Sequence, residues 1–151
     1  MRLSETFIDV WRDRLLSVLR IVAAFMFMAH GGQKVLSFPV AASHPFQVFT
    51  LAGCAGVLEL FGGILLLIGL FTRPVAFILS GEMAFAYFLA HAPHGFWPLV
   101  NRGELAALYC FVFLYLAIAG GGRWSADRWL RPTVPVTYEE PLGRRVARQV
   151  R

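Results

Sequence analysis

Residues 47–71 read QVFTLAGCAGVLELFGGILLLIGLF. The stretch holds one charged residue, Glu59, and no proline. About 20 apolar residues cross the ~30 Å hydrocarbon layer as a helix, and a single segment satisfies its own backbone polar groups there only as a helix. Residues 47–71 are therefore predicted to form a transmembrane helix. Gly56, Glu59 and Gly63 are spaced three and four apart and share a face with Ala52. Small residues of this kind let helices approach closely in lipid. Glu59 is expected to point into a bundle from this glycine-lined face. A charge near the bilayer centre costs roughly 2.5–3.5 kcal/mol, so Glu59 either pairs with a basic or hydroxyl group to fix packing, or serves as a proton-carrying or ligand-binding carboxyl.

Three further stretches, 15–36, 74–90 and 102–119, have the same apolar character. The chain has 151 residues, of which 58% are hydrophobic and 15% charged, against about 25% charged in a soluble domain. Its mean hydropathy is +0.62. The fold class read from this pattern is all-α: one transmembrane domain, 15–119, built as an antiparallel four-helix bundle with short connections. Two prolines in Ser37–Pro45 mark a loop, Thr72-Arg73-Pro74 a tight turn with Pro74 in the next helix's first turn, and His91–Val100 an outer loop. Residues 1–14 read as an amphipathic arm along the membrane surface, with Leu3, Phe7, Val10 and Trp11 at helical spacing. The first apolar stretch is longer than a signal-peptide core, so it is expected to be retained as a helix. Gly120-Gly121-Gly122 ends the fourth helix. The tail, 120–151, is expected to carry a short interfacial helix capped by Ser125, with Trp124 and Trp129 as anchors, then an extended surface segment from Pro132.

With four crossings, twelve of the fourteen basic residues fall on the side of the termini and the 72–74 turn; only Lys34 and Arg102 fall on the other. The excess of lysine and arginine on cytoplasmic loops then predicts that both termini are cytoplasmic. The net charge of +5 reflects this topology and contact with anionic lipid rather than nucleic acid.

Other ionisable residues also lie in or beside the apolar stretches. His30 and Lys34 share a face of the first helix, near its outer end. Lys34 either snorkels to the interface or contacts a ligand. His30 lies deeper and is a candidate proton-handling group. Glu82 is expected in a structural ion pair with Arg73 or Arg20. Asn101 and Glu104 read as a capping box opening the fourth helix, with Asn101 as the cap. Phe96 and Trp97 suit an interfacial belt. His91 and His94 in a proline-rich loop do not make a metal site. Cys54 and Cys110 read as small hydrophobes in helix interfaces, with a bridge between helices two and four left open. There is no Cys-x-x-Cys, no catalytic triad pattern and no glycine-rich loop after a strand.

Several blocks together carry a family resemblance. Leu19-Arg20-Ile21 with His30-Gly31 and Gln33-Lys34 resembles the first helix of DoxX-type proteins. Gly56 through Gly63, followed by Gly69-Leu70-Phe71-Thr72-Arg73-Pro74, resembles their second helix and turn. His91 to Pro98, Asn101, Gly103-Glu104 and Leu108–Phe111 resemble a third block, and Gly122–Asp127 the family's end. The resemblance spans about residues 15–128. It implies a bacterial inner-membrane protein of four transmembrane helices, linked to quinone-dependent redox systems such as thiosulfate:quinone oxidoreductase and to membrane oxidoreductase assemblies. It brings no settled catalytic mechanism.

The leading expectation is a small membrane subunit of a quinone-linked redox system, with a polar pocket in the outer half of the bundle. His30, Lys34, Glu59, His91 and Glu104 would converge there, with Trp97 beside them. His30 or Glu59 would exchange protons, and Lys34 would hold a quinone oxygen. The chain carries no intrinsic haem, flavin or iron–sulfur pattern, so the redox chemistry would come from quinone or a partner complex. Two other readings stay open: a carrier for a small solute or protons, and an assembly subunit of a larger membrane complex, docking through the glycine face of helix two and the basic tail. Homo-oligomerisation is compatible with each.

Overall fold

The computed structural model describes residues 2–42 and 44–130, with side chains from Phe7 onward. The predicted extended segment from Pro132 lies outside the described residues. The elements, in order, are α1 (Arg2–Leu36), α2 (Leu51–Ile68), α3 (Thr72–Ala86), a π-turn (Tyr87–His91), a 3-10 turn (Ala92–His94), α4 (Pro98–Asn101), α5 (Glu104–Ala119) and α6 (Ala126–Leu130). Every regular element among the described residues is helical.

The helix α1 runs 35 residues without interruption, about 50 Å at 1.5 Å per residue. The arm expected at 1–14 is continuous with it, because no glycine or proline occurs before Gly31 to end the hydrogen-bond ladder. Segments Phe7–Leu36, Leu51–Ile68 and Thr72–His94 are long and apolar enough to cross a membrane; α5 is apolar but shorter.

The ends of α2 differ from the predicted 47–71 for local reasons. The Thr50 amide donates to Gln47 O at 3.1 Å, which makes a turn, and the Thr50 hydroxyl caps α2 by accepting from the Gly53 amide at 3.1 Å. At the other end Gly69 adopts φ 72°, and its N–H returns to Leu66 O at 3.1 Å. The third helix starts at Thr72, with Pro74 inside its first turn, and the π- and 3-10 turns carry it to His94, into the expected outer loop.

The α1–α2 pair is the closest in the fold. A Cβ at Gly31 would collide with the backbone of Leu60, Glu59 and Gly56, and one at Gly63 would lie 2.9 Å from Met28 Cβ. The glycine face of α2 is thus filled by α1 and is not a surface for an outside partner. Contacts between the two helices run in opposite senses, Met28 against Gly63 and Lys34 against Gly56. In α3 and α5 the Ser80 hydroxyl donates to Cys110 O at 2.8 Å, and Tyr87 meets Gly103. The core is aromatic where α1 meets α5: Phe27 packs edge-on against Phe113 at 4.8 Å and Tyr109 at 5.1 Å. Large apolar side chains such as Phe61, Phe77, Phe85, Phe111 and Ile118 face outward, as helices immersed in lipid require. Cys54 and Cys110 are free thiols.

Candidate functional site

One polar cluster lies inside this apolar frame. Lys34, on the last turn of α1, places Nζ 2.6 Å from Glu59 Oε1 on α2. Glu59 is only 3% exposed, whereas Lys34 keeps a partly exposed side chain. The pair forms because α1 and α2 touch through Gly31 and Gly56, which brings both side chains to one crossing. Glu59 Oε2 has no hydrogen-bond partner. The carboxyl of Glu82 on α3 is within electrostatic range of both Glu59 and Lys34, and both of its oxygens are shielded and unpartnered. Tyr109 on α5, 6% exposed, senses Glu59, and its hydroxyl is also unpartnered. Four of the five orphaned buried side-chain oxygens among the described residues therefore belong to this one neighbourhood. An unpaired buried polar atom costs about 1–3 kcal/mol, so this concentration marks the neighbourhood as the candidate functional site.

Two cavities flank the cluster. One, of about 570 Å³, opens at the Lys34 end and is lined by Gln33, His44, Gln47 and Thr50. The other, of about 350 Å³, is a groove between α2 and α3 lined by Cys54, Leu58, Ile78, Gly81, Glu82 and Phe85.

The remaining residues of the expected pocket are placed elsewhere. His30 lies on the exposed side of α1, with its ring edge-on to Tyr109 at 6.4 Å, so it touches only the rim of the cluster. His91 Nδ1 sits 3.1 Å from Asn101 O. Glu104 is exposed, and Trp97 is 67% exposed. The capping box does not form. Arg102 turns left-handed at φ 59°, Gly103 becomes the residue before α5, and Asn101 Oδ1 accepts from the Gly103 amide at 2.8 Å. Asn101 instead organises the loop between α3 and α5, its Nδ2 donating to Gly95 O at 2.8 Å and to the Tyr87 hydroxyl at 3.4 Å. Among the described residues no group of three or more His, Cys, Asp or Glu could hold a metal ion.

The expected ion pair of Glu82 with Arg20 or Arg73 is also replaced. Glu82 lies ten residues past Thr72, about 15 Å along α3 and near the opposite end from Arg20. Fully buried Arg20 donates to backbone carbonyls: Nε to Gly121 O at 2.9 Å, Nη1 to Leu66 O and to Leu67 O at 2.6 Å, and Nη2 to Trp124 O at 2.6 Å. Leu66 and Leu67 lie at the C-terminal end of α2 and Gly121 just past that of α5, where the helix dipoles favour a cation; Trp124 lies between α5 and α6. Arg73 is exposed and borders Gly120.

Sequence reading also missed Asp127. Its carboxylate accepts from the amides of Phe71 at 2.7 Å and Thr72 at 2.8 Å, capping α3 from a distance of 56 residues in sequence. Ser125, expected as a cap, donates its hydroxyl to Gly122 O at 2.9 Å. Ser17 receives the Trp124 amide at 3.0 Å, and Arg128 meets Asp13 at 3.2 Å. The segment after α5 is thereby stitched to α1, α2 and α3.

Comparison with known proteins identifies the family. Residues 15–92 match the family model described as DoxX, a stretch that includes Arg20, Lys34, Glu59 and Glu82. An uncharacterized protein of Haemophilus influenzae is 45% identical over 130 residues, covering 80% of this chain and 93% of that protein. No solved structure matches the chain. With half of its length matched by the family model and its helices apolar enough to span a bilayer, the chain belongs to the DoxX family of membrane proteins.

Proposed function

We propose that this protein is a small subunit of a quinone-linked redox system. It is folded as an antiparallel four-helix bundle in a bacterial inner membrane, with both termini cytoplasmic. The observation that carries the reading is the Lys34–Glu59–Glu82–Tyr109 cluster, with its orphaned oxygens inside a lipid-exposed apolar shell. The donor set fits a quinone. The Lys34 ammonium can donate to a quinone carbonyl oxygen, and the Glu59 or Glu82 carboxyl can accept from a hydroquinone hydroxyl. A bound quinone would supply two-electron carrier chemistry. The chain's own residues would hold the head group, exclude bulk water and offer the free oxygen of Glu59 as an acceptor. A larger oxidoreductase would be the electron-transfer partner.

The test is to purify the protein in native lipid discs and extract its bound small molecules for mass spectrometry. The reading predicts close to one quinone per chain, lost in Glu59→Gln. A preparation with no quinone overturns it. In that case the same carboxyls would suit a carrier of protons or a small solute, and flux in proteoliposomes would be the next measurement.

A further inference from the structure

The groove between α2 and α3 joins the polar cluster to the lipid. Its walls are Leu51, Cys54, Leu58, Ile78 and Phe85, and the outer parts of Leu51, Leu58, Ile78 and Phe85 are exposed. A water-soluble ligand would gain little on such walls, whereas a molecule arriving from the bilayer would keep apolar surroundings throughout. Glu82 also lines the groove, yet both of its carboxyl oxygens are covered and accept no hydrogen bond. No bond holds the carboxyl in its inward position, so rotation between staggered side-chain wells can turn it from the Glu59 side to the groove. Gly81, next to it, leaves open space: a Cβ built there meets no atom within 4 Å. The volume, about 350 Å³, is at the lower end for small-molecule sites, enough for one substituted ring with its tail left in lipid.

The geometry points to this groove as the lateral binding site for the head of a lipid-soluble hydroquinone, with Glu82 as the acceptor of its hydroxyl. Hydroquinone is favoured over other lipid-soluble molecules for two reasons. The groove's one charged lining residue is an acid, Glu82, and no cationic side chain lines it, which disfavours phosphate head groups. A ring hydroxyl is a donor that would satisfy the orphaned acceptor. Glu82 would then alternate between ligand and cluster, connecting the groove to Glu59 and, through Lys34, to the cavity at the outer end. The choice of ligand class rests on the quinone reading above; the location rests on the groove.

Cys54 gives a readout independent of activity, since it is exposed and lines the groove. In a Cys110→Ala background, the rate of Cys54 labelling by N-phenylmaleimide would be measured in lipid discs with and without decylubiquinol. The site predicts at least a fivefold slowing by the hydroquinone. That protection would be lost in Glu82→Leu, which removes the acceptor, and in Gly81→Leu, whose side chain would fill the groove. Protection that persists unchanged in both variants overturns the site, since the probe then acts elsewhere. No protection in a protein that still yields one quinone per chain overturns the groove but leaves the redox reading standing. No protection and no extracted quinone overturns both.

Discussion

Replacing Arg20 by Met should be the most destabilising single change at the end of the molecule that carries α6. The guanidinium is fully buried and serves the carbonyls of Leu66, Leu67, Gly121 and Trp124. A hydrogen bond to a charged group contributes about 1.5–3 kcal/mol. The four losses overlap, because one side chain makes all the bonds, and carbonyls near a helix end recover some hydration. About 4 kcal/mol remains, a large share of the ~5–15 kcal/mol that stabilises a typical fold. For a chain of this size that is a drop of about 10 °C in Tm. Arg20→Lys should recover roughly half, because an ammonium with three donors cannot span two helix ends as the planar fork does. Thermal unfolding followed by circular dichroism, at fixed detergent, reads both variants. If Arg20→Met melts within about 2 °C of wild type, or if Arg20→Lys is no better than Met, the clamp is not what joins α2 to α5.

Two further stability predictions use the same assay. Lys34→Met strips the charge partner from a carboxylate that is 3% exposed. Lone removal costs about 3–5 kcal/mol in a fully buried pair, and roughly 2 kcal/mol is expected here because Lys34 is partly exposed. Adding Glu59→Gln should restore more than half of the loss, and a double variant as unstable as the sum of the singles would refute the pair. Gly31→Ala forces a methyl into the backbone of α2 and should cost about 2 kcal/mol. Gly81→Ala meets nothing and should gain up to ~1 kcal/mol of helix propensity; equal effects at both positions would refute the close α1–α2 crossing.

The parts of the fold legible in the sequence were those governed by local period. The apolar stretches and the glycine register of α2 follow from spacing alone, and that register puts Glu59 on a buried face. What escaped was anything dependent on which distant group a buried charge meets. Arg20 was expected beside Glu82, but four backbone carbonyls serve it, with Asp127 the carboxylate in electrostatic range, and carbonyls leave no mark in a sequence. Glu82 was expected near Arg20, but ten residues past Thr72 put it about 15 Å along α3, in range of Glu59 and Lys34 instead; which helix faces meet is not written in the spacing of one helix. The Asn101–Glu104 spacing satisfies a capping box, yet the left-handed turn at Arg102 directs the Asn101 side chain back into its own loop. Spacing did not single out Tyr109; only its packing against Phe27 and its proximity to Glu59 mark it as part of the cluster.

The Arg20 clamp also bears on the order in which the molecule is completed. Two of its acceptors, Leu66 and Leu67, leave the ribosome some 46 residues after Arg20, and the other two, Gly121 and Trp124, more than 100 residues after it. The first helix therefore enters the bilayer with a cation that its own neighbourhood cannot satisfy, and it must wait for nearly the whole described chain. Closure of so long a loop comes late and slowly. A nascent chain stalled after α3 would have only the Leu66 and Leu67 carbonyls for the Arg20 guanidinium, leaving the donors that Gly121 and Trp124 serve in the finished protein without those partners.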